Sequence, residues 1–375
     1  MDFDSGVGEV ETADGEIVRA QMPASLREAG TNIRRMTIDV EADELVLFLP
    51  GGVEAHVELG VTGERAADPL AGRRIVYLDQ NRWSAMAAWR HGHRPIGASE
   101  AAAAERLAEL VTAGEIVLPM SAGHLVETAP LYDDPREALA TTVLEYSRGW
   151  QWRNPVDVRR EELAAALRGA APVASEVASL GADVLFTQRL NPVDGSDLPG
   201  LMAAALPRLV NVSTVYDVIV DRDAVPDEGG RAAAERWAQK HADLAADLAD
   251  AGASREQVRS AAHGAVLADL AEEIMALAPI ERFKAWLERA DADVSAMPFL
   301  SRYRAVIFAR LRAGGTWSRN DLNDLIYLCC AAGYADVVVG ENRTIGDLRT
   351  ARGVPEGGAL ATTLAEAVAI LDASA

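Results

Sequence analysis

Apolar positions along this chain follow three different rhythms. From Met36 they alternate with polar ones: Ile38 and Val40, then Leu45, Leu47 and Leu49. After a Pro50-Gly51-Gly52 turn, Val53, Ala55, Val57 and Leu59 return at the same period of two. This predicts a half-buried hairpin or meander ending near Ala67. Further on come short unbroken apolar runs: Ile75-Val76-Tyr77-Leu78, Ile116-Val117-Leu118 and Val337-Val338-Val339, with Ala359-Leu360-Ala361-Thr362 as a last strand. Such runs are expected of parallel strands covered on both faces. Between and after them the spacing is helical. Trp83, Met86, Ala87 and Trp89 open one helix, and another runs from a cap near Ser99 to Val111, with Gly114 at its end. Ser121 reads as the cap of a helical turn carrying His124 and Glu127 on one face. Leu364–Leu371 closes the chain.

From Pro130 to about Thr316 the pattern is helical nearly throughout. The candidate helices are 135–146, 156–167, 231–250, 255–277, 280–290 and 301–311, with breaks at Asn154-Pro155, Asn191–Gly200, Asp227–Gly230 and Gly314-Gly315. No period repeats. Residues 1 to about 30 read as acidic and irregular around Pro23. The expected organisation is a small acidic β module over 1–70, an α/β domain assembled from 71–130 and 318–375, and a helical insertion over 131–317.

The stretch Ser318–Arg343 joins these rhythms to chemistry. Leu322, Leu325, Ile326, Cys329 and Ala332 fall on one helical face. Ser318 with Asp321 has the spacing of a capping box, and Gly333 reads as the helix stop. The valine run that follows ends on Gly340-Glu341. Acids therefore stand at a helix start (Asp321, Asp324) and just past a strand's carboxyl end (Glu341, and likewise Asp79). In an open α/β sheet both places face the crevice where ligands bind.

Composition narrows the functions available. Apolar residues make up 49% of the 375 and charged residues 25%, ordinary for a globular protein. A net charge of −21 argues against an extended nucleic-acid-coating surface. A polyanionic substrate would need local arginines or bound cations. The only cysteines are Cys329 and Cys330, adjacent on a helix, so a disulfide framework is excluded and a reducing compartment fits. No apolar run approaches the ~18 residues of a membrane span, and the acidic start lacks a signal-peptide pattern. The expectation is a cytoplasmic protein with no membrane partner.

In chain order, Val76-Tyr77-Leu78-Asp79-Gln80-Asn81, Ser121–Glu127, Asn323-Asp324-Leu325-Ile326 and Val338-Val339-Gly340-Glu341-Asn342 together resemble a PIN-like nuclease. The resemblance covers 73–130 and 318–375. It implies a three-layer α/β fold around a parallel sheet, interrupted by a large all-helical insertion and preceded by the small β module. It also implies hydrolysis of phosphodiesters, usually in RNA, with Mg²⁺ or Mn²⁺ held by acids. Asp79, Glu127 and Asp324 fall on the family's metal-binding positions and Glu341 on its fourth acidic position, where Asp is usual. An endoribonuclease of toxin or defence type is what this implies, with an inhibitory protein partner and a homo-oligomer among its expected associations.

Elementary chemistry agrees with the acids as a metal site. A hard divalent cation takes oxygen ligands, and converging carboxylates resist joint ionisation until a cation joins them. Asp321 has two readings, a further metal ligand or only the cap partner of Ser318. Arg90 and Arg94, in the run Arg90-His91-Gly92-His93-Arg94, are candidates for holding phosphate, as are His124 and Arg343. Arg302, Arg304, Arg310 and Arg312 form a locally basic segment beside Tyr303, Phe308 and Trp317, expected to border the acidic crevice. His91 and His93 lack a nearby Cys or third His to complete a soft-metal site. Two other classes compete: a haloacid-dehalogenase-type phosphohydrolase using Asp79-Gln80-Asn81, and a non-catalytic PIN-like interaction protein.

Overall fold

The unbroken apolar runs pair with one another. Strands β6 (Arg74–Leu78), β7 (Ile116–Val117), β10 (Val337–Val339) and β11 (Ala359–Ala361) form a parallel sheet of order β11-β10-β6-β7. β10 is fully buried, as a β-branched run with a partner on each side should be. The computed structural model describes residues 2, 5–11, 17–21, 33–49, 52–60, 68–70, 72–128, 133–180, 184–187, 198, 200–220 and 228–373. The expected irregular stretch around Pro23, the module end near Ala67, the Pro50-Gly51 step and most of the 191–200 break lie outside them. The chain is mixed α/β and divides into two units: 1–75, 83–154 and 178–225, and 76–82, 155–177 and 226–375. β6 belongs to both. Arg74 and Ile75 pair with Ile116 and Val117 in the first unit; Val76–Leu78 pair with Val337–Val339 in the second.

In the first unit, β3 (Arg35–Asp39), β4 (Glu44–Phe48) and β5 (Glu54–Glu58) form the expected antiparallel meander. Met36, Leu45, Leu47, Ala55 and Val57 bury one face. Val40 is exposed, because the chain has already turned towards Asp43, whose φ is +54°. The start of the chain is not irregular throughout: β1 (Val7–Glu11) and β2 (Ile17–Gln21) pair as a hairpin. Helices α1 (Gln80–His91), α2 (Ala98–Thr112), α3 (Ala122–Thr128), α4 (Asp133–Ser147) and α6 (Gly200–Val220) and the short pair β8 (Gln151–Trp152) and β9 (Ala178–Ser179) complete it. Gly97, not Ser99, precedes α2. Helix α6 escapes the sequence pattern because Pro207 and several β-branched residues lie within it.

Most of the second unit is helical. It holds α5 (Pro155–Arg168), α7 (Glu228–Asp250), α8 (Arg255–Asp269), α9 (Ala271–Leu277), α10 (Ile280–Leu287), α11 (Ala290–Ala296), α12 (Pro298–Ala313), α13 (Arg319–Tyr334), α14 (Asn342–Thr350) and α15 (Leu364–Ala373). The long helix expected over 255–277 breaks at Leu270. Helix α12 starts where Glu162 of α5 accepts the Phe299 and Leu300 N–H groups at 2.8 and 3.1 Å, a cap supplied from another helix. Helix α13 continues through Gly333, which is not its stop. A Cβ at Gly333 would come within 2.8 Å of the Pro298 carbonyl, so glycine there lets α12 and α13 pack closely. No helix among the described residues is long and apolar enough to cross a membrane.

Candidate functional site

Each of three acids owes its place to a rigid element of the second unit. The Asp79 N–H extends the β6–β10 ladder by bonding the Val339 carbonyl at 2.9 Å. Its own carbonyl receives the Arg82 N–H at 2.8 Å as α1 begins, and its carboxylate accepts the Gln80 N–H. Asp324 lies three residues after Asp321 on α13, hence on the same side of the helix. Glu341 immediately precedes α14 and accepts the Thr344 hydroxyl at 3.2 Å. Gly340 before it must be small, since a Cβ would lie 3.0 Å from Leu328 and 3.2 Å from Ile345.

The electrostatics separate these acids from their neighbours. Burial pushes the Asp79 carboxyl up to about 6, with the Glu341 charge adding to the effect. Burial also raises Asp324, to about 7, helped by Asp79, Glu341 and Asp321. All three are half-buried, and none makes an ion pair among the described residues. The charges of Asp79, Asp324 and Glu341 therefore act on one another, and like charge disfavours ionising Asp79 and Asp324.

Asp321 is a different case. It is 3% exposed. One carboxylate oxygen accepts the Ser318 N–H at 2.6 Å, completing the capping box. The other accepts Arg310 Nη1 at 2.6 Å and Arg343 Nη1 at 3.2 Å. These contacts outweigh its burial and hold its carboxyl below the usual range. With both oxygens engaged by Ser318, Arg310 and Arg343, Asp321 has a structural duty beside the acid group. Asp347 is tied the same way, to Arg310 Nε at 2.8 Å.

Arg310 is the residue that sequence reasoning placed among phosphate binders and the structure places behind the acids. It is 3% exposed, and its third donor reaches the Thr344 hydroxyl at 3.1 Å, which in turn donates to Glu341. The relay from Arg310 through Thr344 to Glu341 was not foreseen. Its only sequence signal is an arginine recurring inside an apolar helix face. The neighbouring arginines are committed elsewhere. Arg302 donates to the Pro298 and Pro355 carbonyls, and Arg304 to Asp291 and Ser295. Of the four, Arg312 alone is exposed. Arg343, also exposed, stands at the rim of the acid group.

The remaining candidates lie in the first unit. Glu127 is half-buried on α3. His124 is buried, and its Nδ1 accepts the Ser121 N–H at 3.0 Å while Ser121 Oγ receives the His124 N–H at 3.4 Å. This is a capping box with histidine in the usual glutamate role, and it gives the ring a structural duty. Arg90 pairs through Nε with Glu145 at 3.1 Å. With His91 and His93 it lines a cleft of about 710 Å³ that also contains Glu54, His56 and Glu137. Arg94 is exposed.

As they stand, no three His, Cys, Asp or Glu side chains among the described residues are set to enclose a metal ion. Mg²⁺ does not require a dry, all-protein cage. It keeps several waters and binds through one or two carboxylates plus substrate phosphates. The all-oxygen donors of Asp79, Asp324 and Glu341, which make no ion pair among the described residues, fit that kind of hydrated cation. Comparison with protein-family models, curated proteins and solved structures finds no match to this chain.

Proposed function

We propose that this protein is a divalent-cation-dependent phosphodiesterase that hydrolyses RNA. One observation carries the proposal. Half-buried acids at the carboxyl ends of adjacent parallel strands β6 and β10, and on the start of α13, repel one another without an ion-pair partner. The acids beside them, Asp321 and Asp347, are both neutralised by Arg310. Selection for stability alone removes such repulsion, whereas a bound cation reverses its sign. Preference for RNA rests on the resemblance of the motif order to PIN-like nucleases, and placement in the cytoplasm belongs to the same reading. The rival phosphohydrolase reading needs a second acid where the chain has Asn81.

Asp79 and Asp324 would hold Mg²⁺ or Mn²⁺, and Glu341 would take a share through water. The cation would supply a more acidic bound water and neutralise phosphoryl charge. Glu341, which accepts the Thr344 hydroxyl, would orient the attacking water and take its proton. Arg343 at the rim, tied by Nη1 to Asp321 and Nη2 to Thr316, would bring positive charge towards the phosphate. Asp321 and Arg310 keep helix α13 and the Glu341 turn in register.

The test is cleavage of end-labelled RNA with Mg²⁺, Mn²⁺ or EDTA by wild type and by Asp79→Asn. We expect metal-dependent cleavage leaving a 5′-phosphate and a 3′-hydroxyl, abolished by the substitution. Cleavage that persists in EDTA, or full activity in Asp79→Asn, overturns the proposal.

A further inference from the structure

Just before helix α13, the chain builds a surface pocket that none of the acids occupies. Its volume is about 330 Å³. Helix α7 supplies one wall from Glu235, Ala238, Gln239 and Ala242, successive positions of one helical stripe. The two alanines leave the floor open. Gln239 is held by a hydrogen bond from Nε2 to Asp243 at 2.7 Å, so that wall is preset. The opposite wall is Trp317 with Ser318 and Arg319.

Trp317 is half-buried and braced from behind. Trp237 meets it edge-on with ring centroids 5.5 Å apart and planes at 74°, and His241 lies 4.9 Å away at 36°. Trp237 and His241 are themselves buried, so the indole is a fixed platform. At the pocket mouth Arg319 pairs with Glu235 at 3.6 Å, both more than half exposed. An exposed pair at that separation is weak and exchangeable. A phosphate can take Arg319 from Glu235 with little loss.

The pocket is tied to the acid group. Arg343, two residues after Glu341, donates Nη2 to the Thr316 carbonyl at 2.6 Å and Nη1 to Asp321 at 3.2 Å. It therefore links the residue before Trp317 to the helix that bears Asp324. Along α13, Arg319 and Asp324 are five residues apart, roughly 8 Å of axial rise and about 140° around the helix. A strand bound at the acids would pass round the start of α13, beside Arg343, to bring a neighbouring base to Trp317.

We infer that this pocket is a nucleobase subsite, in which one unpaired base next to the cleaved phosphate stacks on Trp317 while Arg319 leaves Glu235 for the adjoining phosphate. The inference rests on the phosphodiesterase reading for its substrate, and single-stranded RNA is its occupant. Every base has a face to stack, so the pocket selects for an unpaired base more than for its identity. An RNA paired at that position cannot offer one.

The experiment is fluorescence-anisotropy binding of a labelled RNA octamer in EDTA, where no metal-dependent cleavage occurs. Wild type, Trp317→Leu, Trp317→Phe and Arg319→Ala are compared, with an abasic nucleotide moved through the octamer. Trp317→Leu should weaken binding about 5- to 100-fold, and Trp317→Phe should retain most of the affinity. In wild type one abasic position should be penalised above the rest, and Trp317→Leu should erase that penalty. Arg319→Ala should flatten the salt dependence. Equal affinities for wild type and Trp317→Leu, or no octamer binding by wild type, overturn the subsite. Trp317-dependent binding without cleavage in Mn²⁺ would support the subsite and overturn the phosphodiesterase reading.

Discussion

Two groups of buried acid in this protein have opposite surroundings. In the first unit, Glu58 ends β5 at 4% exposure. Arg73 grips both of its oxygens at 2.9 and 2.7 Å, Arg148 Nε adds a contact at 3.3 Å, and Trp150 Nε1 donates at 3.2 Å. Burial opposes the charge, but these donors win and hold the Glu58 carboxyl below the ordinary range. Even the backbone is shaped for the cluster. Gly149, at φ +85°, would place a Cβ 2.5 Å from Val57 Cγ1. In the second unit Asp79 and Asp324 face other acids, and their carboxyls rise. Satisfying an acid so fully builds a structural joint; leaving three together without a basic partner leaves room for a cation.

The contrast can be broken by substitution, the largest effect first. Asp79→Asn or Asp324→Asn should each lower RNA cleavage about 10³-fold or more, the scale of losing metal-derived charge stabilisation. Both proteins should still fold, as judged by circular dichroism. Glu58→Ala should instead leave Arg73 without its partner and cost about 3 kcal/mol in chemical denaturation. Retained stability in that variant would mean the Glu58 cluster is not the joint described here. Glu341→Gln keeps a hydrogen bond to Thr344 but loses the proton acceptor, so we expect a loss of about 10²-fold in cleavage, less than for either aspartate.

The smallest effect is the pH slope, and it has opposite signs in the two regions. Glu58, with a lowered pKa, stabilises above the ordinary glutamate range, and that contribution is lost as pH falls through its folded value. Asp79 and Asp324 hold protons more tightly folded than unfolded. Their ionisation therefore costs stability as pH rises from about 4 through 6 and 7. Replacing Asp324 by Asn should raise stability at pH 8 by on the order of 2 kcal/mol and change little at pH 4. Saturating Mg²⁺ or Mn²⁺ should remove the difference by stabilising the wild type. A variant that gains more at pH 4 than at pH 8 would reverse the assignment.

How far these features were legible in the sequence depends on how local each one is. The valine run, the Asp79 strand end and the Ser318–Asp321 capping box are short-range patterns, and the sheet and helix α13 follow them. Asp79, Asp324 and Glu341 stood out in the sequence because strand ends and helix starts are local events. Pairings between distant residues were not legible. Neither Glu162 capping α12 nor Arg310 linking Asp321, Asp347 and Thr344 leaves a periodic trace. Gly333 was misread for the same reason. A glycine near a helix end signals a stop, unless another helix needs the space its missing Cβ provides. Val7–Glu11 and Ile17–Gln21 carry too few apolar residues to announce a hairpin, and only their mutual pairing makes them strands.

The central claim is that Asp79 and Asp324 hold a divalent cation, and calorimetric titration of Mn²⁺ into the protein near pH 6.5 tests it most directly. At that pH both carboxyls are partly protonated, so a cation that binds them must displace protons. We predict Mn²⁺ binding by the wild type with proton release, seen as a heat that changes with the buffer's ionisation enthalpy. Asp79→Asn and Asp324→Asn should each weaken binding sharply and reduce the release. Mn²⁺ binding that survives both substitutions unchanged, or a wild type that binds no Mn²⁺, would contradict the claim.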